Sequence, residues 1–328
     1  SPYGKGHPKK SAKGLCATRK LKYEFIEAHR GRYPVIVMCR CLGMTTSGYY
    51  SWRGRPLSRR TQANQELLKE IRAIHHSSRG VYGSPKIHQI LKQQGWSCSR
   101  KRVARLMRLN GLAAKRQRCF KRTTRQKVGR LAAPNHLDQQ FTVPQPNRVW
   151  LADITYVRTL EGWLYLAAVM DLFSRQIIGW SMSKRMTDEL SRTALQMAVR
   201  KRLPTASKLM HHSDRGSQYT SESHQHLLKG YGIKVSMSGT GYCYDNAPME
   251  SFFSLLKTEL VHHERYMSRR QARTSIFDYI EIFYNRQRVH SSLDYKAPTD
   301  YESSWRDSTG LTEISNGPLG GRYATTYP

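Results

Sequence analysis

Three acidic residues, Asp153, Asp214 and Glu250, stand where a carboxylate needs a reason. Asp153 lies inside Trp150-Leu-Ala-Asp-Ile-Thr-Tyr156, a run that otherwise reads as core strand, and a carboxylate there is costly unless it is paired or binds a cation. Asp214 follows a short predicted strand in His212-Ser-Asp-Arg-Gly-Ser-Gln-Tyr219, at the carboxyl edge where open α/β sheets place their sites. Glu250 stands in Tyr244-Asp-Asn-Ala-Pro-Met-Glu-Ser-Phe-Phe253, at the start of a strongly helical run. Taken singly, each has an ordinary alternative: an edge-strand residue facing water, a turn aspartate, and a first-turn glutamate favoured by the helix dipole. Taken together, they are the oxygen donors that hard divalent cations prefer. Two such ions roughly 3.5–4 Å apart can activate an attacking oxygen and stabilise a leaving one. The histidine pairs His75-His76, His211-His212 and His262-His263 lack zinc-ligand spacing and read as structural or phosphate-contacting. The six cysteines form no CxxC pair, which predicts free thiols in a reducing compartment.

The charge of the chain indicates what such a site would act on. Among 328 residues, 55 Lys and Arg face 23 Asp and Glu, a formal net charge of +32. Residues 1–137 hold 32 of the bases and only four acids, a balance of +28 that leaves +4 for the remainder. No acid occurs between Ile71 and Leu137, and residues 100–130 carry thirteen Lys or Arg. A solvated face normally mixes signs to limit self-repulsion, so this block calls for phosphate, and nucleic acid is the expected partner ahead of an anionic membrane surface or an acidic substrate. No apolar run approaches the roughly 18 residues of a spanning helix, which predicts a soluble, cytoplasmic protein without membrane contact.

Two kinds of element must carry these features. In the basic half, Leu67, Leu68, Ile71 and Ile74 mark one helix, and Ile87, Ile90 and Leu91 a second, with Ser84 as its cap and Pro85 in its first turn. Ser99 caps a third over residues 100–109, with Val103, Leu106 and Met107 inward and Lys101, Arg102, Arg105 and Arg108 outward. Three short helices with a basic third make a helix-turn-helix-like domain over residues 60–112. A small helical unit is expected over 22–56, a basic segment over 1–21, and a basic linker over 113–145 that includes Lys115, Arg116, Arg118, Lys121 and Arg122. From Val149 the pattern changes to strands at 149–159, 163–170 and 176–183 joined by tight turns. A helix from Thr187, a strand at 209–213, a helix at 223–229 and a strand at 233–236 follow. This predicts a mixed sheet flanked by helices over residues 146–304; no role is assigned to the tail at 305–328.

The three acids, with 35 residues between the last two, resemble the DDE motif of transposases and retroviral integrases. The words around them, with Gly80-Val-Tyr-Gly-Ser-Pro-Lys86, Arg105-Leu-Met-Arg-Leu-Asn-Gly-Leu112 and Tyr284-Asn-Arg-Gln-Arg-Val-His290, are similar to transposases of the bacterial insertion-sequence-three family over residues 21–301. The resemblance implies an α/β, ribonuclease-H-like catalytic core after an all-α DNA-binding region. It also implies two Mg²⁺ ions, replaceable by Mn²⁺, on Asp153, Asp214 and Glu250. Lys257, seven residues after Glu250 and therefore on the same helix face, would contact donor-end DNA. Asp245 and Asn246 are candidates for shaping the site without binding metal.

The implied activity is 3′-end cleavage and strand transfer at element ends by a homo-oligomer on double-stranded DNA, in the bacterial cytoplasm near the nucleoid. No heptad run precedes Leu21, so the leucine zipper of the family's first reading frame is expected from a partner protein. The alternatives are a catalytically silent DNA-binding regulator and a structure-selective nuclease that cleaves without joining.

Overall fold

The computed structural model describes residues 18–115, 134–137, 141–204, 208–239 and 246–310. The chain divides into two compact units, Ser1–Leu67 and Leu68–Pro328. In the first, helices α1 (Arg19–His29), α2 (Val35–Cys41) and α3 (Thr46–Arg53) surround Ile26, Met38, Cys39 and Tyr49. Thr18 and Thr45 cap α1 and α3 by accepting from Leu21 N and Gly48 N, and Tyr23 stacks on Trp52 at 5.5 Å.

Helix α4 (Arg59–Ser77) leads into the second unit, where α5 (Ser84–Gln93) and α6 (Arg100–Leu109) follow. Ser99 caps α6, its hydroxyl accepting from Arg102 N at 3.2 Å. Ser84, expected as a cap, is instead the first residue of α5; Gly83 holds the cap position with no side-chain bond, and Pro85 in the first turn supplies the preset backbone.

The sheet is built from β1 (Val149–Thr159), β2 (Gly162–Asp171), β3 (Ile177–Ser183), β4 (Met210–Ser213) and β5 (Lys234–Met237), in the order β3-β2-β1-β4-β5. β1, β2 and β3 are antiparallel neighbours, and β4 and β5 run parallel to β1, the arrangement of a ribonuclease-H-like core. The β-branched and aromatic content of β1 suits a strand covered on both faces. One face packs on Met249, Phe252 and Leu256 of α9 (Ala247–Glu259), the other on Leu190, Ala194 and Ala198 of α7 (Asp188–Arg202). Helix α8 (Glu222–Gly230) lies between β4 and β5 in sequence. The helix ends at Glu259, and a 3₁₀ turn, Val261–His263, follows it.

Contact between α7 and the sheet is close enough to require glycine. A Cβ built on Gly179 would sit 2.2 Å from Ala194 O and 2.8 Å from Ala198 Cβ. Gly179→Ala is therefore expected to destabilise the protein by about 3 kcal/mol, the upper range of overpacking costs, because the obstruction is backbone. Urea unfolding checks this, and a change below about 0.5 kcal/mol would show that α7 can shift.

The C-terminal elements close the core: α10 (Arg269–Phe277), a π-helical stretch Asp278–Tyr284, and α11 (Pro298–Ser308). Asn285 is buried against β3, accepting from Ile177 N and donating to Ile177 O, both at 2.9 Å, as a neighbouring strand would. Glu302 of α11 pairs with buried Arg202 of α7. The segment between α4 and α5 is fastened to this region. Arg79 pairs with Asp278 at 2.5 Å, and Tyr82 Oη accepts from Val289 N at 2.7 Å.

Candidate active site

The parallel pairing of β1 and β4 ends at Ala152↔Ser213, so the next residue on each strand, Asp153 and Asp214, stand side by side where the two strands separate. Asp153 Oδ1 accepts from Ile154 N at 2.7 Å, and Asp214 Oδ1 accepts from Gly216 N at 3.0 Å. The loop bearing Asp214 is braced from β5. His212 bonds Ser236 Oγ and Ser238 Oγ through its two ring nitrogens, and Arg215 Nε donates to Ser238 O.

Glu250 comes from the first turn of α9. Buried Asn246 precedes that helix and donates to Ala152 O at 3.2 Å, fixing the start of α9 beside Asp153. Lys257, nearly two turns on, holds its Nζ 5.2 Å from the centre of the Tyr156 ring.

The electrostatics follow from this convergence. Burial pushes the Asp153 carboxyl up to about 8, and the charges of Asp214 and Glu250 push the same way, against the Ile154 N–H and Lys257. Burial also raises Asp214, countered by the Gly216 N–H, and lowers Lys257, countered by Asp153. Carboxylates whose charge is disfavoured by burial suit a divalent ion, and their donors are hard oxygens of the kind Mg²⁺ and Mn²⁺ prefer. As placed, no three His, Cys, Asp or Glu side chains among the described residues close to ion-binding distance. The donor set is an adjacent pair, Asp153 and Asp214, with Glu250 on a separate element.

Of the basic candidates, Lys101, Arg105 and Arg108 are exposed on α6, Arg102 is half-buried, and Val103, Leu106 and Met107 are buried on the opposite face. Lys115 is placed differently from the phosphate-facing role expected of it: its Nζ donates to Glu259 O at 3.1 Å, because the chain after α6 turns back onto the core. Arg116, Arg118, Lys121, Arg122 and Asp245 lie outside the described residues. Sequence reasoning gave no role to Tyr219. It is fully buried, and burial together with the charges of Asp153 and Asp214 holds its phenol well above the ordinary range. The only signal was its place at the end of the word containing Asp214.

Two integrase core domain families match residues 143–243 and 250–304, and an HTH-like domain family matches residues 62–120. A Shigella sonnei protein described as the insertion element IS600 uncharacterized 31 kDa protein is 44% identical over 268 residues, 82% of this chain and 98% of that protein. Transposase InsF for insertion sequence IS3A of Escherichia coli K12 is 43% identical over 285 residues, 86% of this chain and 99% of the relative. Among solved structures, the HTLV-2 integrase catalytic core domain in complex with magnesium aligns over 48% of this chain and 97% of its own, at 17% identity and a TM-score of 0.38. The two integrase-core matches cover the strands that pair Asp153 with Asp214 and the helix that carries Glu250, and the curated relatives are matched across nearly their whole length. On that footing the chain belongs to the IS3 family of transposases, enzymes of the polynucleotidyl-transferase class with an integrase catalytic core.

Proposed function

We propose that the chain cuts the 3′ ends of its own insertion element and joins them to another DNA strand, with Asp153, Asp214 and Glu250 holding two Mg²⁺ or Mn²⁺ ions. The observation that carries this reading is the side-by-side placement of Asp153 and Asp214 at the end of the β1–β4 pairing, with the charge of Glu250 felt at Asp153. Such ions, when bound, supply activation of the attacking oxygen and stabilisation of the leaving oxygen in an in-line displacement.

The chain's own residues do the remainder. Asn246 holds the start of α9 against β1, so Glu250 and Lys257 approach Asp153 on one rigid helix. Lys257 offers an ammonium to the phosphate flanking the reacting bond. The α6 face, with Lys101, Arg102, Arg105 and Arg108, holds duplex DNA through its phosphates. The acting species is an oligomer on paired ends, working in the cytoplasm with a first-frame protein that supplies the zipper.

The test is a strand-transfer assay with a 3′-hydroxyl duplex of the element end, the full chain and any first-frame partner, in Mg²⁺, Ca²⁺ or EDTA. Joined products are expected in Mg²⁺ and not in EDTA. Binding without joining in all three would make the chain a regulator, and cleavage without joining a nuclease.

Affinity for end DNA should fall steeply with salt, since each neutralised phosphate contributes about −0.9 to the slope of log affinity on log salt. Replacing Lys101, Arg105 and Arg108 together by Ala is expected to flatten that slope by about 2–3. An unchanged slope in a filter-binding titration would move the DNA path off α6.

A further inference from the structure

At the turn end of the β1–β2 hairpin, three residues along β1 from Asp153, the sheet presents an aromatic and basic patch. Antiparallel partners share a face, and the register pairs Tyr156 with Tyr165 and Arg158 with Trp163. Along β1 and β2 this is the face that packs on α7. At the hairpin end, however, Tyr156 is 53% exposed and Trp163 45% exposed. The two rings meet edge to face at 5.1 Å, and Arg158 is exposed beside them. β4 pairs β1 only through Val149–Ala152, so β1 has no β4 partner from Asp153 onward, and Lys257 brings its ammonium over the Tyr156 ring there. Lys257 stands on α9, the helix that carries Glu250, so one side chain links the patch to that helix.

The platform is held rigid from behind. Arg269 donates through Nε to Trp163 O and through its backbone N to Glu161, each at 3.0 Å, and Leu160 N donates to Tyr266 O at 3.0 Å. Gly162 turns the hairpin at a φ of +104°, a conformation that favours glycine. Two large exposed rings on a fixed backbone, interleaved with cations, are a poor surface to leave in water. They match the way proteins hold unpaired nucleotides, with the base stacked on an aromatic ring and the backbone held by a cation.

We propose that Tyr156, supported by Trp163, is the stacking site for an unpaired nucleobase of the element-end strand next to the reacting phosphate, and that Lys257 leaves the ring to hold that nucleotide's phosphate. This rests on the transposase reading above and deepens it, since it assigns how the end is held open at the site. Base stacking tolerates every base, so the site fixes position more than sequence.

The test uses the full chain with end duplexes carrying 2-aminopurine, or an abasic residue, at each of the terminal three positions. Tyr156→Leu and Tyr156→Phe are compared with wild type; both substitutions are at an exposed position and are expected to fold. In Ca²⁺, where binding is read without joining, 2-aminopurine at one position should be quenched by wild type and by Tyr156→Phe but not by Tyr156→Leu. In Mg²⁺, Tyr156→Leu should slow joining about 5- to 100-fold. An abasic residue at that position should slow wild type equally and leave Tyr156→Leu unchanged. Quenching that survives in Tyr156→Leu, or an abasic penalty equal in both proteins, overturns the proposal. Quenching lost in Tyr156→Leu while wild type fails to join in Mg²⁺ supports the stacking site and overturns the strand-transfer reading instead.

Discussion

Asp153→Asn is expected to lower Mg²⁺-dependent strand transfer by about 10³-fold or more, equivalent to about 4 kcal/mol of transition-state stabilisation, while raising the melting temperature of the metal-free protein. Both effects have one cause. Burial and the neighbouring charges of Asp214 and Glu250 put the folded-state pKa of Asp153 at about 8, above the ordinary value of 3.8. A carboxyl raised on folding contributes stability that is fully present below its unfolded pKa and is lost as pH rises through the folded one. The penalty therefore grows between about pH 4 and pH 8. Asparagine, which carries no charge, escapes it. The difference in melting temperature between variant and wild type should widen from pH 5 to pH 8, and because it is a difference, the titration of distant histidines cancels. Adding Mg²⁺ at pH 8 should stabilise wild type alone and narrow the gap. Calorimetry at the two pH values, with and without Mg²⁺, reads all of this. A variant less stable than wild type at pH 8 without metal would mean that Asp153 is structurally paired, and a variant that still joins DNA would remove it from the reaction.

The legible parts of this molecule are those governed by short-range patterns. The strand 149–159, the cap Ser99 and the buried trio Val103, Leu106 and Met107 follow from alternation, helical spacing and a hydroxyl at the right place. The location of Asp153 within apolar residues was enough to mark it as unusual. That Asp153 and Asp214 are neighbours was not readable from spacing, because it depends on the parallel register of β1 with β4, across a crossover of two antiparallel strands and a helix. Ser84 misleads because Gly83 already has the extended backbone of a cap. Lys115 misleads because charge density predicts phosphate contact, whereas this ammonium is within reach of a helix-end carbonyl 144 residues away. The π-helical stretch Asp278–Tyr284 has no simple periodicity to announce it, although its side chains build much of the core.

The same distance in sequence hides the interaction with the largest expected effect on folding. Glu259 ends α9, and Arg288 follows the π-helical stretch; both are buried. Arg288 Nε donates to Glu259 Oε1 and Oε2 at 3.1 and 2.8 Å, Nη2 to Oε1 at 2.6 Å, and Tyr279 Oη to Oε2 at 2.8 Å. The charges of Arg288, Lys86 and Arg175 add to burial and press His290 down to about 2, so it stays neutral beside them. Its stability contribution is present above the ordinary histidine value and is lost as pH falls toward 2. Glu259 is the carboxylate that holds Arg288, through both hydrogen bonds and charge. Glu259→Gln leaves a buried guanidinium without compensation and is expected to cost about 3–5 kcal/mol, whereas replacing both partners, Glu259→Leu with Arg288→Met, is expected to recover much of it, because the desolvation penalty disappears with the charges. Denaturant unfolding of the single and double variants decides the matter. Since Glu259 lies two residues beyond Lys257 on the helix that follows Asn246, the single variant should also release the far end of the helix that carries Glu250. A variant that loses stability yet keeps full joining activity at low temperature would show that α9 is positioned from its Asn246 end alone; one that loses both would place the buried pair among the residues that hold the active site in register.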